Sequence, residues 1–121
     1  MGITANKYPL NGSWIPVKQE FAGKAFPESA FKSYKLVMQD SIYTYGSANT
    51  DMGSLYYEQG KMDIYGRAGV NQGKHFMALY KREKDTMTIC YNLKGDSYPT
   101  DFATIGKPMH FLSVYKLDTT K

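Results

Sequence analysis

Cysteine, histidine and arginine are nearly missing from this chain: it has one cysteine, two histidines and two arginines among 121 residues. A single cysteine excludes an intrachain disulfide and the thiolate pairs of a structural zinc site. Cys90 falls in the apolar run Met87–Tyr91, where a free thiol packs as a small hydrophobe; a nucleophilic thiol would need an activating base beside it. No stretch is long and apolar enough to span a membrane as a helix. The opening residues Met1-Gly-Ile-Thr-Ala-Asn-Lys7 lack the charged and apolar regions of a secretory leader. That leaves either a cytoplasmic protein or a mature exported domain expressed without its leader.

Catalytic signatures are also missing. There is no Gly-X-Ser-X-Gly elbow, no His-Glu-X-X-His, no phosphate-binding glycine loop and no cysteine pair. His75 and His110 lie on separate expected strands, and no third ligand is placed to complete a metal site with them. The expected site therefore has no metal and no cofactor. For acid–base chemistry the candidates by position are Glu20, Glu58, Asp63, His75 and His110. Asp63 sits between Met62 and Ile64, so alternation turns it to the opposite, solvent-facing side. The net charge of +4 comes from lysines scattered singly between acids. They make no basic stripe for phosphates, which argues against nucleic acid as a partner despite the aromatic strands.

What the chain has in quantity is aromatic side chains, 11 Tyr and 6 Phe with one Trp. Tyrosine suits a pleated surface and carries a hydroxyl that can orient a ligand or bind a buried partner. The run from Gly73 to Asn92 reads as two strands joined by a polar turn at Glu83-Lys84-Asp85. Further strands are expected at Ser13–Phe21, Tyr34–Gln39, Ser41–Tyr45, Leu55–Glu58, Met62–Gly66 and Met109–Leu117. Pro16 marks an edge or a bulge in the first of them. Phe26–Lys32 allows one short helical turn, near 27–32, suited to cap a barrel mouth. Asn92–Pro108 is a long loop of the kind that often carries function. About eight strands with short connections favour closure over two exposed edges. The expected fold is all-β, a small antiparallel up-and-down barrel, with a β-sandwich as the alternative.

The period-two rule selects interior faces. Met87, Ile89 and Tyr91 share one face, as do Met109, Phe111 and Tyr115. Leu36 and Met38, Ile42, Leu55 and Tyr57, and Met62 and Ile64 are the matching choices elsewhere. In Lys74–Lys81 both Phe76-Ala78-Tyr80 and His75-Met77-Leu79 fit an interior. The candidate ligand-binding residues are Met38, Tyr57, Met62, His75, Tyr91 and Phe111, with His75 and His110 as the candidates for catalysis.

Leu10-Asn-Gly-Ser-Trp14 resembles the Gly-X-Trp that opens the first strand of lipocalins and their calycin relatives. Together with Met62-Asp-Ile64, Gly73-Lys74, Ala78-Leu-Tyr80, Asp85-Thr-Met-Thr-Ile-Cys90, Tyr98-Pro-Thr-Asp-Phe102 and Val114-Tyr-Lys116, it makes residues 10–117 similar to a bacterial lipocalin-like domain family. That family carries a Gly-Asp-X-Leu-X-Ile-Cys hairpin strand and an Arg-Pro-X-X-Phe loop; this chain has Lys84 in place of the glycine and Tyr98 in place of the arginine. The resemblance implies that Trp14 closes one barrel end beneath a cation from the last strand, for which Lys116 is the candidate. It also implies an extension at 1–9 and a tail at 118–121. The expected function is enclosure of a small hydrophobic or aromatic molecule, with room for a homodimer. The alternatives are a protein-interaction module using the 92–108 loop, through Tyr98 and Phe102, and a cofactor-free cyclase or isomerase.

Overall fold

Strand β1 (Gly12–Phe21) has a proline at its centre, and the ladder yields there. Pro16 has no N–H to give, and between Pro16 and Lys18 the pairing with the last strand, β9 (His110–Leu117), slips by one residue. Val17 is the extra residue of this bulge. Trp14 and Pro16 face inward before it, opposite Leu117 and Tyr115; Gln19 and Phe21 face inward after it, opposite Ser113 and Phe111. A computed structural model describes residues 8–46 and 51–119. The expected extension 1–9 therefore lies outside the described residues except for its last two, and the tail lies outside them at 120–121.

The other strands follow in chain order: β2 (Lys24–Ala25), β3 (Leu36–Gln39), β4 (Ile42–Tyr45), β5 (Asp51–Glu58), β6 (Lys61–Gly69), β7 (His75–Glu83) and β8 (Thr86–Asn92). From β3 to β9 each strand pairs antiparallel with the next, and β1 pairs with both β3 and β9. The result is a closed eight-stranded antiparallel barrel, with β2 as a short extra strand on the end of β1. A 3-10 turn at Glu28–Ala30 stands where a helical turn was expected. Among the described residues no helix is long and apolar enough to cross a membrane. The turns are tight. Gln59 and Gly60 both take positive φ (48° and 84°), matching the twist of a two-residue hairpin. Lys84, at φ 57°, holds a left-handed position that glycine would occupy without strain.

Register corrects two expectations and decides a third point that alternation leaves open. Ile42 is not interior but 54% exposed. The two-residue turn Asp40-Ser41 pairs Gln39 with Ile42 and Met38 with Tyr43. Cross-strand partners share a face, so an inward Met38 brings Tyr43 inside and turns Ile42 out. Met109 precedes β9 and is exposed rather than sharing the interior with Phe111. In β7 it is Phe76, Ala78 and Tyr80 that face the core, so His75 points outward.

One end of the barrel is packed solid. Leu10, Trp14, Met62, Ala78, Met87 and Ile89 are all inaccessible there, and the Trp14 indole donates to the Leu10 carbonyl at 2.9 Å. The cation over Trp14 is not Lys116. Tyr115 and Leu117 take the inward positions beside it, leaving Lys116 outward. Arg82 fills the role instead, with its guanidinium 4.9 Å from the Trp14 ring and bonds to the carbonyls of Pro9 and Lys84. Arg82 continues the inward series of Phe76, Ala78 and Tyr80, which delivers it to the floor.

The Arg82→Ala variant is expected to lose about 1–2 kcal/mol of stability through the cation–π contact and two hydrogen bonds. Lys116→Ala should change it by less than about 0.5 kcal/mol. Urea midpoints of the two variants check the assignment.

Candidate functional site

The other end of the barrel encloses a cavity of about 380 Å³. It lies where β1, β4, β6 and β8 end and β3, β5, β7 and β9 begin. Its walls are the aliphatic side chains of Leu36, Met38, Leu55 and Ile64 and the rings of Tyr43, Tyr45, Phe76, Tyr91, Phe111 and Tyr115. Phe21, Phe26 and Leu93 complete the apolar lining, and Asp51 and Asn71 are its polar members. The segment before the 3-10 turn acts as a partial cap, since Phe26 lies against Phe111 with ring centroids 5.9 Å apart. Tyr34 meets Tyr45 edge-on in the same way.

Tyrosine hydroxyls give this apolar chamber two polar groups. In one, the Gln19 amide donates to the Tyr45 hydroxyl at 3.2 Å and to Ser113 at 3.1 Å, while the hydroxyls of Tyr91 and Tyr115 bond each other at 2.9 Å. In the other, Tyr43 donates to one carboxylate oxygen of Asp51 at 2.9 Å and Asn71 donates to the second at 2.8 Å. Asn71 reaches this position because Gly66 has no side chain. A Cβ on Gly66 would lie 1.8 Å from the Asn71 carbonyl oxygen, and the loop folds back onto Gly66 through the bond from the Gly73 amide. Burial pushes Tyr43, Tyr57, Tyr91 and Tyr115 above the ordinary tyrosine value, and for Tyr43 the Asp51 carboxylate adds to the effect.

Of the expected ligand-binding residues, Met38, Tyr91 and Phe111 line the cavity. Tyr57 and Met62 face inward but belong to the packed half, where Tyr57 meets Tyr80 edge-on. His75 is outside altogether. Its ring stacks on Tyr65 at 4.5 Å, and its Nε2 lies 2.7 Å from the Asp63 carboxylate. Tyr98 donates to the other oxygen of Asp63, and this bond pushes the Tyr98 hydroxyl up to about 12. Asp63 is thus on the outer face, as alternation requires, and pins the loop between β8 and β9 to the wall. His110 is outward too, and burial followed by the Lys107 charge lowers its pKa. Neither histidine is among the residues lining the cavity.

The 93–109 loop lies back on the barrel. Lys61 sits over the Tyr98 ring and Lys81 over Phe102, while Thr104 bonds Glu20 and accepts from the Gly23 amide. The loop covers the outward side of β8. Cys90 is fully buried there, and burial pushes its thiol up to about 11.

Sequence reading missed Asp51 because β5 begins four residues earlier than expected, behind Gly53. The available signal was the series Asp51, Gly53, Leu55 and Tyr57, in which a carboxylate shares the interior parity. Asn71 left no such signal, since its position follows from a loop closing over Gly66. No family model, curated protein or solved structure matches this chain. The cavity itself is therefore the basis for a functional reading.

The raised tyrosines set an alkaline limit. In the unfolded chain these hydroxyls ionise near about 10, whereas the folded barrel holds their protons to higher pH. Above pH ~10 the folded state thus binds more protons than the unfolded one, and stability falls as pH rises. Denaturation midpoints between about pH 8 and 12 should be flat with respect to these groups up to ~10 and drop beyond it. The part of the tyrosinate absorbance that comes from the buried hydroxyls should appear only with unfolding.

Proposed function

We propose that this chain is a lipocalin-like carrier that encloses one small apolar or aromatic molecule in its barrel, without a cofactor. The observation that carries this reading is the division of the interior. One half is packed to exclusion around Trp14, while the other is a cavity of about 380 Å³ walled by aromatic and aliphatic side chains. Ligand sites have this character, mostly apolar with a few placed polar groups, and they span about 300–1,000 Å³. A cavity of about 150 Å³ accommodates a benzene ring, so the volume here suits a molecule of two rings rather than a long lipid. The Gly12-Ser-Trp14 start and the up-and-down order support the lipocalin-like family, whereas the cation over the indole comes from β7 rather than from the last strand.

The two rival readings have less support. Tyr98 and Phe102 are engaged with Asp63, Lys61 and Lys81 of the barrel itself, which leaves them poorly suited to anchor a partner. His75 and His110 do not line the cavity, so a barrel isomerase would have to work without either imidazole.

Indole is a suitable neutral two-ring probe. At a hundredfold excess over its Kd it should stabilise the protein by about 2.7 kcal/mol, read as a rise in Tm. The Leu55→Trp variant, whose larger side chain occupies the cavity, should lose that response while keeping a cooperative transition. A wild-type Tm indifferent to indole and to other small hydrophobes would overturn the carrier reading.

A further inference from the structure

Asp51 is an unexpected residue for a chamber that takes only neutral guests. Its residue is 9% exposed, and it is the one carboxylate among the described residues lining the cavity. Its two partners among the described residues, the Tyr43 hydroxyl and the Asn71 amide, are both neutral. Among the described residues no ion pair involves it, and neither lysine nor arginine lines the cavity. A buried carboxylate with only neutral donors carries a desolvation cost that a cation would offset. The carboxylate also has acceptor capacity left, since its two oxygens can take about four donors.

The walls around it favour a cation as well. Tyr43, Tyr45, Phe76, Tyr91 and Phe111 line the same chamber, and the negative face of an aromatic ring attracts a desolvated cation. We propose that the ligand is a protonated arylalkyl amine, with its ammonium bound to Asp51 and its ring body held among the aromatic walls toward Leu55 and Ile64. This rests on the carrier reading and narrows it to a ligand class. The ammonium would make charge-assisted hydrogen bonds to the carboxylate, which are shorter and stronger than neutral ones. Asn71 and Tyr43 then act as positioning residues that hold the carboxylate toward the cavity, and Gly66 sets Asn71 in place.

The test compares three ligands of one shape by calorimetry on the wild-type protein at neutral pH: tryptamine, its uncharged isostere 3-propylindole, and the anion indole-3-acetate. Tryptamine should bind at least about tenfold more tightly than 3-propylindole, because a hydrogen bond to a charged group contributes more than that factor. Indole-3-acetate should bind weakest. The Asp51→Asn variant should bring the tryptamine preference down to about twofold or less. If 3-propylindole binds as well as tryptamine or better, the amine inference is overturned and the carrier reading stands. If none of the three binds, both fall. The wild-type comparison decides the matter even if the variant does not fold.

Discussion

The interior of this barrel depends on a one-residue slip in the seam that closes it. Strand β1 must face its own side chains inward at both ends of the molecule, yet a regular strand from Trp14 would put Lys18 and Glu20 inside. The bulge at Val17 changes the parity. Past it, Gln19 and Phe21 line the chamber while Glu20 turns out to hold Thr104 of the long loop. Proline makes the slip inexpensive, because Pro16 has no amide hydrogen for the ladder to lose. The same slip lets one strand place Trp14 at the floor, the Gln19 amide on the Tyr45 hydroxyl and Glu20 on the outer loop.

From that seam the two halves of the barrel diverge in chemistry. Flexible or branched aliphatic side chains such as Met62, Met87 and Ile89 fill the floor around an indole, leaving no room for a guest. Toward the mouth the interior positions pass to tyrosine and phenylalanine, whose rings line the walls and whose hydroxyls find each other, Gln19 or Asp51. Rigid rings keep a chamber open where aliphatic chains would collapse into it. The polar groups are satisfied at the wall, so most of the surface offered to a guest is apolar.

Much of this was legible in the sequence, and the failures have definite causes. The inward faces of β3, β8 and β9 follow from alternation, since each has one clearly larger apolar set. In β7 both sets are apolar, and only its pairing with β6 and β8 decides between Phe76 and His75. Ile42 was misplaced because hydrophobicity favoured it, whereas a two-residue turn places the neighbouring Tyr43 inside. The cation on Trp14 depends on barrel closure: Arg82 and Lys116 are both near the floor in sequence terms, and only the inward parity of β7 separates them. Asp51 was hidden at the start of a strand whose glycine and polar residues read as a break. A site made by Gly66 admitting the Asn71 backbone has no signature until the loop is seen to close.

Cys90 lies beneath the long loop, and it is the single thiol of the chain. A thiolate, not a thiol, reacts with an alkylating reagent, and burial at this position holds the proton on the sulfur. Modification therefore requires the loop to lift, exposing the sulfur and restoring its ordinary acidity together. Where reclosing outpaces labelling, the modification rate relative to that of a free thiol gives the free energy of opening. The molecule in effect carries its own clock for the motion of its longest loop.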